Sequence, residues 1–185
     1  MRRFGTRSRH ERGATLVETA IVLPIVLLLA FGLAEIGFGM ISQMTAANAA
    51  REGARVGAAG GPNPGAELAI LRSVEQAMCS LEQGDLVSVE IYRANANGDP
   101  VNPGSQLNRY APTGPLNCTN SATTSLACTN GCPWPPSARN DSVLTLDDLG
   151  VRVTYTHRWL LSFVFPGTAT WSDKAVMRIE PDTGT

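Results

Sequence analysis

Hydrophobic positions change their spacing three times along the chain. Residues 20–34, AIVLPIVLLLAFGLA, are apolar throughout. A soluble core helix would show a polar face every 3.6 residues, and residues 21–31 show none. Leu16, Val17, Ile36, Phe38, Met40 and Ile41 extend the apolar segment to about 25 residues, against the roughly 20 a helix needs to cross a ~30 Å hydrocarbon core. The pattern predicts a transmembrane helix. Pro24, inside it, removes one backbone hydrogen bond, a defect that membrane helices tolerate when neighbours satisfy the freed carbonyl. The next stretch, SQMTAANAAREGARVGAA, is alanine-rich and favours helix until GGPNPG, residues 60–65, breaks it. One helix over residues 14–59 is therefore expected, a rod on the order of 65–70 Å at 1.5 Å per residue.

Leu68, Leu71, Val74 and Met78 recur at spacings of three and four, predicting a second helix over residues 64–82 that Gly84 and Asp85 end. The period then drops to two. Val87, Val89 and Ile91 alternate with Ser88, Glu90 and Tyr92; Val151, Val153, Tyr155 and His157 alternate with Arg152, Thr154, Thr156 and Arg158; a last strand over residues 168–180 puts Ala175, Met177 and Ile179 on one face. Between these strands, residues 95–141 are rich in Asn, Pro, Gly, Ser and Thr and read as a long loop. The expected fold is α+β: a basic tail over residues 1–13, a transmembrane and extended helix over 14–59, and a small domain over 60–185 with one further helix and an antiparallel sheet of about three strands.

Charge adds orientation. Arg2, Arg3, Arg7, Arg9 and Arg12 crowd the start, and from Thr19 to Ala50 the sole charge is Glu35. Basic residues flanking a span stay on the cytoplasmic side, so the expected topology has the N-terminus inside and the C-terminal domain exported. The net charge of −1 gives no electrostatic case for nucleic acid, and the basic tail needs no role beyond topology. Cys79, Cys118, Cys128 and Cys132 all lie in the exported part, where disulfides form; four cysteines allow three pairings, and the sequence does not choose among them. Zinc is disfavoured, because no CxxC pair is present and His157 sits in a strand pattern. No nucleophile-elbow, phosphate-loop, cofactor or metal motif appears, so catalytic residues are not expected. Asp147 and Asp148 read as a turn, His157 as a core histidine, and Trp134 in CPWPP as the tip of a braced loop.

Gly13 closes the basic tail, and Glu18 is the fifth residue after it. A carboxylate in an apolar segment is expensive. Either Glu18 reaches interfacial water, or it has a partner in an assembly. A cut after Gly13 would create an amine on Ala14 that could pair with Glu18 of a neighbouring helix. Glu35 stands where a span beginning at Leu16 would end, and could simply mark the outer interface. Ala46, Ala50, Ala54 and Ala58, with Gly53 and Gly57 beside them, form a small-residue ridge that would pack closely either on the chain's own domain or on another subunit. Arg51 and Arg55 share a solvated face with Glu52.

Gly13 and Glu18 resemble the type III signal of type IV-like prepilins. GATLVETAIVLPIVLLLAFGLAEIG followed by NAAREGARVGAA is similar to the TadE-like minor pilins of the tight-adherence (Tad, or Flp) pilus system. The matching residues are Gly13, Glu18, Ala20, Pro24, Glu35, Gly37 and the AAREGAR block. VRVTYTHRW and AVMRIEP resemble the ends of such chains more loosely. Thr19 stands where Tad-type signals usually place an aromatic residue. The resemblance implies cleavage between Gly13 and Ala14 by a prepilin peptidase. It also implies a place in the bacterial inner membrane or a surface pilus, and assembly contacts through Glu18, Glu35, Ala50, Arg51, Gly53 and Arg55. The implied partners are the lipid bilayer and other pilus subunits or assembly-platform proteins, with no cofactor and no nucleic acid. Two other readings compete. A secreted binding protein could be released by signal-peptide cleavage near Ala47 to Ala50, although the apolar run exceeds the usual 7–15-residue signal core. A membrane-anchored enzyme would need a catalytic constellation, and the sequence offers none.

Overall fold

The apolar run and the alanine-rich stretch form one continuous helix, α1, Ser8–Gly60, with Pro24 inside it. It stops at the glycine pair: the Gly61 N–H donates back to Gly57 O at 3.0 Å, and Asn63 Nδ2 donates to Gly60 O at 2.8 Å. In this computed structural model, residues 8–81, 84–119, 122–161 and 166–181 are described, with side chains from Gly13 onward. The chain divides into two units between Phe38 and Gly39, a boundary inside α1.

In the second unit α1 is followed by α2, Ala66–Met78, then β1, Gly84–Arg93, β2, Leu107–Pro112, β3, Leu126–Cys128, a 3-10 turn at Pro136–Ala138, β4, Asp148–Arg158, and β5, Thr168–Arg178. The helix expected over residues 64–82 is thus shorter at both ends. Its buried stripe is Ala66, Ile70, Leu71, Val74, Glu75 and Met78, while Leu68 is exposed. The stripe runs through i+4 steps from Ala66 to Met78, and Leu68 lies off that line.

The sheet has five strands rather than about three, in the order β3-β2-β1-β4-β5, every pair antiparallel. The extra strands, β2 and β3, come from the segment read as loop. LNRYAP shows no alternation, because Leu107 and Asn108 are both buried. Asn108 is buried at low cost since its amide is satisfied: Nδ2 donates to Trp134 O at 2.7 Å and to Glu67 Oε1 at 2.8 Å, and Trp134 N–H donates to Oδ1 at 2.8 Å. Asp148 lies in β4, and its neighbour Asp147 is buried, ion-paired with Arg93 Nε at 2.8 Å and accepting from the Asn140 N–H at 2.9 Å. The pair is therefore not an exposed turn; its carboxylates secure the start of the strand.

One sheet face buries Val89, Ile91, Leu149, Val151, Val153, Tyr155 and His157. Ala46, Ala49, Ala50 and Ala54 of α1 join the same core, together with Ile70, Val74 and Met78 of α2. On the other face Tyr92 lies across Gly150, its register partner; a Cβ at Gly150 would stand 2.4 Å from the ring. Beside it runs a cross-strand row of charges. Glu90 accepts from Arg109 at 2.6 Å and Arg152 at 3.0 Å, and Asp99 accepts from Lys174 at 2.6 Å. Arg109, Glu90 and Arg152 are successive register partners, so a one-residue slip would set Glu90 against Asn108 or Tyr110 on β2 and against Val151 or Val153 on β4 in place of its two arginines.

Two carboxylates of α2 hold the middle segment. Glu67 accepts from Asn108, from Tyr110 Oη at 2.6 Å and from the buried Arg139, whose guanidinium lies 5.1 Å over the Trp134 ring. Glu75 accepts from the Asn117 N–H at 2.6 Å, from Thr124 Oγ1 at 2.8 Å and from Ser125. Burial pushes the Glu75 pKa up, but these donors outweigh it and hold the group below its ordinary value. Disulfides Cys79–Cys118 and Cys128–Cys132 complete the bracing, and they are the pairing that the sequence left open.

Candidate functional site

The candidate site is a single helix with two characters. In the first unit, the hydrophobic side chains of α1 are exposed, from Leu16 at 71% through Leu23, Leu27 and Phe31 to Leu33 at 71%. The helix is long and apolar enough to cross a membrane, and the 18-residue window that meets this test has no buried residue. An exposed apolar surface of this extent is unfavourable in water by ~25 cal/mol per Å2 and matches hydrocarbon instead. The Thr19 hydroxyl donates to Thr15 O at 2.8 Å, satisfying a polar group within the helix itself. Gly13, Ala14 and Glu18 lie on the exposed first turns, and Glu35 is buried.

In the second unit the same helix turns a small-residue face into the core. Ala46, Ala49, Ala50 and Ala54 are wholly buried, and Gly53 and Gly57 face Ile70, Val74, Leu149 and Val151. The ridge therefore packs on the chain's own domain. Ala50 and Gly53 sit in this core, whereas Arg51 and Arg55 point outward. Arg51 donates to Asn48 Oδ1 at 3.3 Å, and Arg55 pairs with Glu52 at 2.5 Å. The hydrogen bond from Arg55 holds the Glu52 carboxyl below its ordinary pKa. The AAREGAR block thus divides by side-chain type: small residues inside, charges outside. The candidate residues are strung along one helix and are not gathered into a cleft. Among the described residues no three His, Cys, Asp or Glu side chains stand close enough to hold a metal ion.

Sequence reasoning missed an aromatic cluster beside the start of this second stretch. His157 Nδ1 lies 3.3 Å from Ser42 Oγ in a hydrogen bond. Its ring stacks on Trp171 at 5.1 Å and meets Trp159 edge-on at 5.0 Å. Trp171 also meets Tyr155 edge-on at 6.0 Å, and reaches within 3.4 Å of where a Cβ on Gly39 would be. Burial pushes the Tyr155 phenol up to about 12, with Asp173 adding to the shift. Asp173, on the same side of β5, is itself raised by burial, opposed by Arg51. The alternation of Tyr155 and His157 placed them on the inner face; the pairing Tyr155↔Trp171 that completes the cluster follows only from the β4–β5 register.

No curated protein and no solved structure matches the chain. A family comparison does match, over the part of α1 that runs from the exposed turns at Gly13 to the outward Arg55: residues 13–55 are similar to the family described as TadE-like protein.

Proposed function

We propose that this chain is a structural subunit of a tight-adherence pilus system, a pseudopilin or minor pilin anchored in the bacterial inner membrane by the first part of α1, with no catalytic role. The observation that carries this reading is the coincidence of the family segment, residues 13–55, with a helix that is exposed and apolar first and core-forming afterwards. The helix that would anchor the chain continues into the domain as part of its core. The arginine cluster before the apolar run supports a cytoplasmic N-terminus with the domain outside. A prepilin peptidase would cut between Gly13 and Ala14, and Glu18 would then pair with a neighbouring subunit's new amine. Partners are the bilayer, other pilus subunits and the assembly platform.

Release by signal-peptide cleavage near Ala47 to Ala50 would strip Ser42 and Ala46 from the folded domain, and Ala46 is fully buried there. This weighs against the secreted reading. The test is the mature N-terminus together with the partners. Mass spectrometry of carbonate-washed membranes should find a peptide beginning at Ala14, and in-cell cross-linking should join the chain to pilus subunits. A soluble chain beginning near Ala50, with no pilus cross-links, would overturn the proposal.

A further inference from the structure

The aromatic cluster has a location and a chemistry that the anchor alone does not explain. Gly39 and Ser42 lie about one to two helical turns beyond Glu35, where a span of ~20 residues beginning near Leu16 runs out. Trp171 and His157 touch those two residues. On α1 at the same level, Met40, Ile41 and Met44 are 62%, 59% and 66% exposed. Leu160, where the chain leaves β4 just after Trp159, is 56% exposed. Arg158, next to them, is an exposed cation paired with Asp85. The third tryptophan, Trp134, is buried in the core, 2% exposed. Two of the three tryptophans, a histidine and a collar of exposed apolar residues are thus collected at one end of the domain.

We infer that this end of the domain, built on Trp159, Leu160 and Trp171 with Met40, Ile41 and Met44, rests on the bilayer surface from which α1 emerges. The inference depends on α1 being a membrane span. Tryptophan suits the boundary because its ring is apolar and its N–H is polar, and it concentrates there in membrane proteins. Arg158 can direct its guanidinium to lipid phosphates while its stem lies along the ring layer. The occupant is lipid because Met40, Ile41 and Met44, all exposed and apolar, follow directly in the chain on the apolar segment of α1.

The test uses the full chain reconstituted in phosphatidylcholine vesicles with and without bromine on the upper acyl chain, which quenches tryptophan at shallow depth. Carbonate extraction is run in parallel. The expected result is carbonate-resistant protein whose fluorescence is quenched, with Trp159→Phe removing most of the quenching. A Trp159→Phe/Trp171→Phe chain, emitting from Trp134 alone, should be unquenched. Leu160→Asp leaves all three tryptophans in place and should also reduce quenching while both disulfides form normally. Carbonate-resistant protein with no quenching, or with quenching unchanged by these substitutions, overturns the docking but not the anchor. Fluorescence that responds to protein density in the vesicle and not to bromine would assign the surface to a second copy, and also overturns it. Protein extracted by carbonate would overturn both readings.

Discussion

Gly53 of α1 faces Val74 of α2 so closely that a Cβ on the glycine would stand 2.6 Å from Val74 Cγ2. Val151 Cγ1 and Ile70 Cγ2 close the same site at 3.3 and 3.5 Å. The two helices and β4 meet at this point, and the branched valines around it have little freedom to retreat. Gly53→Ala should therefore destabilise the domain. Overpacking costs ~1–3 kcal/mol and the gain in helix propensity recovers at most about 1. Gly32→Ala, with nothing within 4 Å of the added methyl, should be neutral or slightly stabilising. Unfolding in detergent, followed by near-ultraviolet circular dichroism, separates the two. Equal stability of both variants would contradict the packing described.

The two disulfides should differ in weight. Cys79–Cys118 closes 39 positions and Cys128–Cys132 only 4. Loop-closure entropy assigns ~4 kcal/mol to the first and ~2 to the second. Replacing Cys79 and Cys118 by serine should lower the denaturation midpoint clearly more than replacing Cys128 and Cys132. The reverse order would show that the segment is held mainly by Glu67 and Glu75.

Glu75 should make stability depend on acid. Its folded pKa lies below the ordinary 4.5, so its contribution is fully present above that pH and is lost as pH falls through the depressed folded value. Glu75→Gln should cost ~1–3 kcal/mol at neutral pH, because the half-buried donors of Asn117, Thr124 and Ser125 lose a charged acceptor. The gap between parent and variant should narrow below pH 4.5. Urea unfolding of both from pH 7 downward measures it; a constant gap would mean that the charge of Glu75 is not what holds the segment.

Glu18 should serve assembly and not folding. It lies on the first turns of α1, in the unit that ends at Phe38, away in sequence from every residue of the core. Glu18→Gln and Glu18→Leu should both insert and form both disulfides, yet lose cross-linking to pilus subunits. An unpaired carboxylate in a water-free bundle costs several kcal/mol, and a neighbour's Ala14 amine offsets that cost only in the assembled register. If Glu18→Leu assembles as well as the parent, the pairing is wrong.

Elements that announce themselves by period were legible: α1, α2, β1, β4 and β5 all follow from apolar spacing. What escaped was stabilised by partners distant in sequence. β2 has a buried asparagine that only Glu67 and Trp134 make tolerable, and β3 is three residues long, so neither carries a strand signal of its own. The small-residue ridge was visible, but its partner was not, because nothing in alternating alanines says whether the facing surface belongs to the same chain. The aromatic cluster needed the β4–β5 register to bring Trp171 beside Tyr155 and His157.

The burial of Ala46, Ala49, Ala50 and Ala54 in the domain core also bears on how the domain forms. A sheet whose central strand β1 pairs with β2 and β4 must close long loops before its contacts are rewarded, which slows folding from a free chain. On the proposed topology, one wall of the core belongs to a helix whose first part lies in the bilayer, so the sheet would condense on a ridge already held in place.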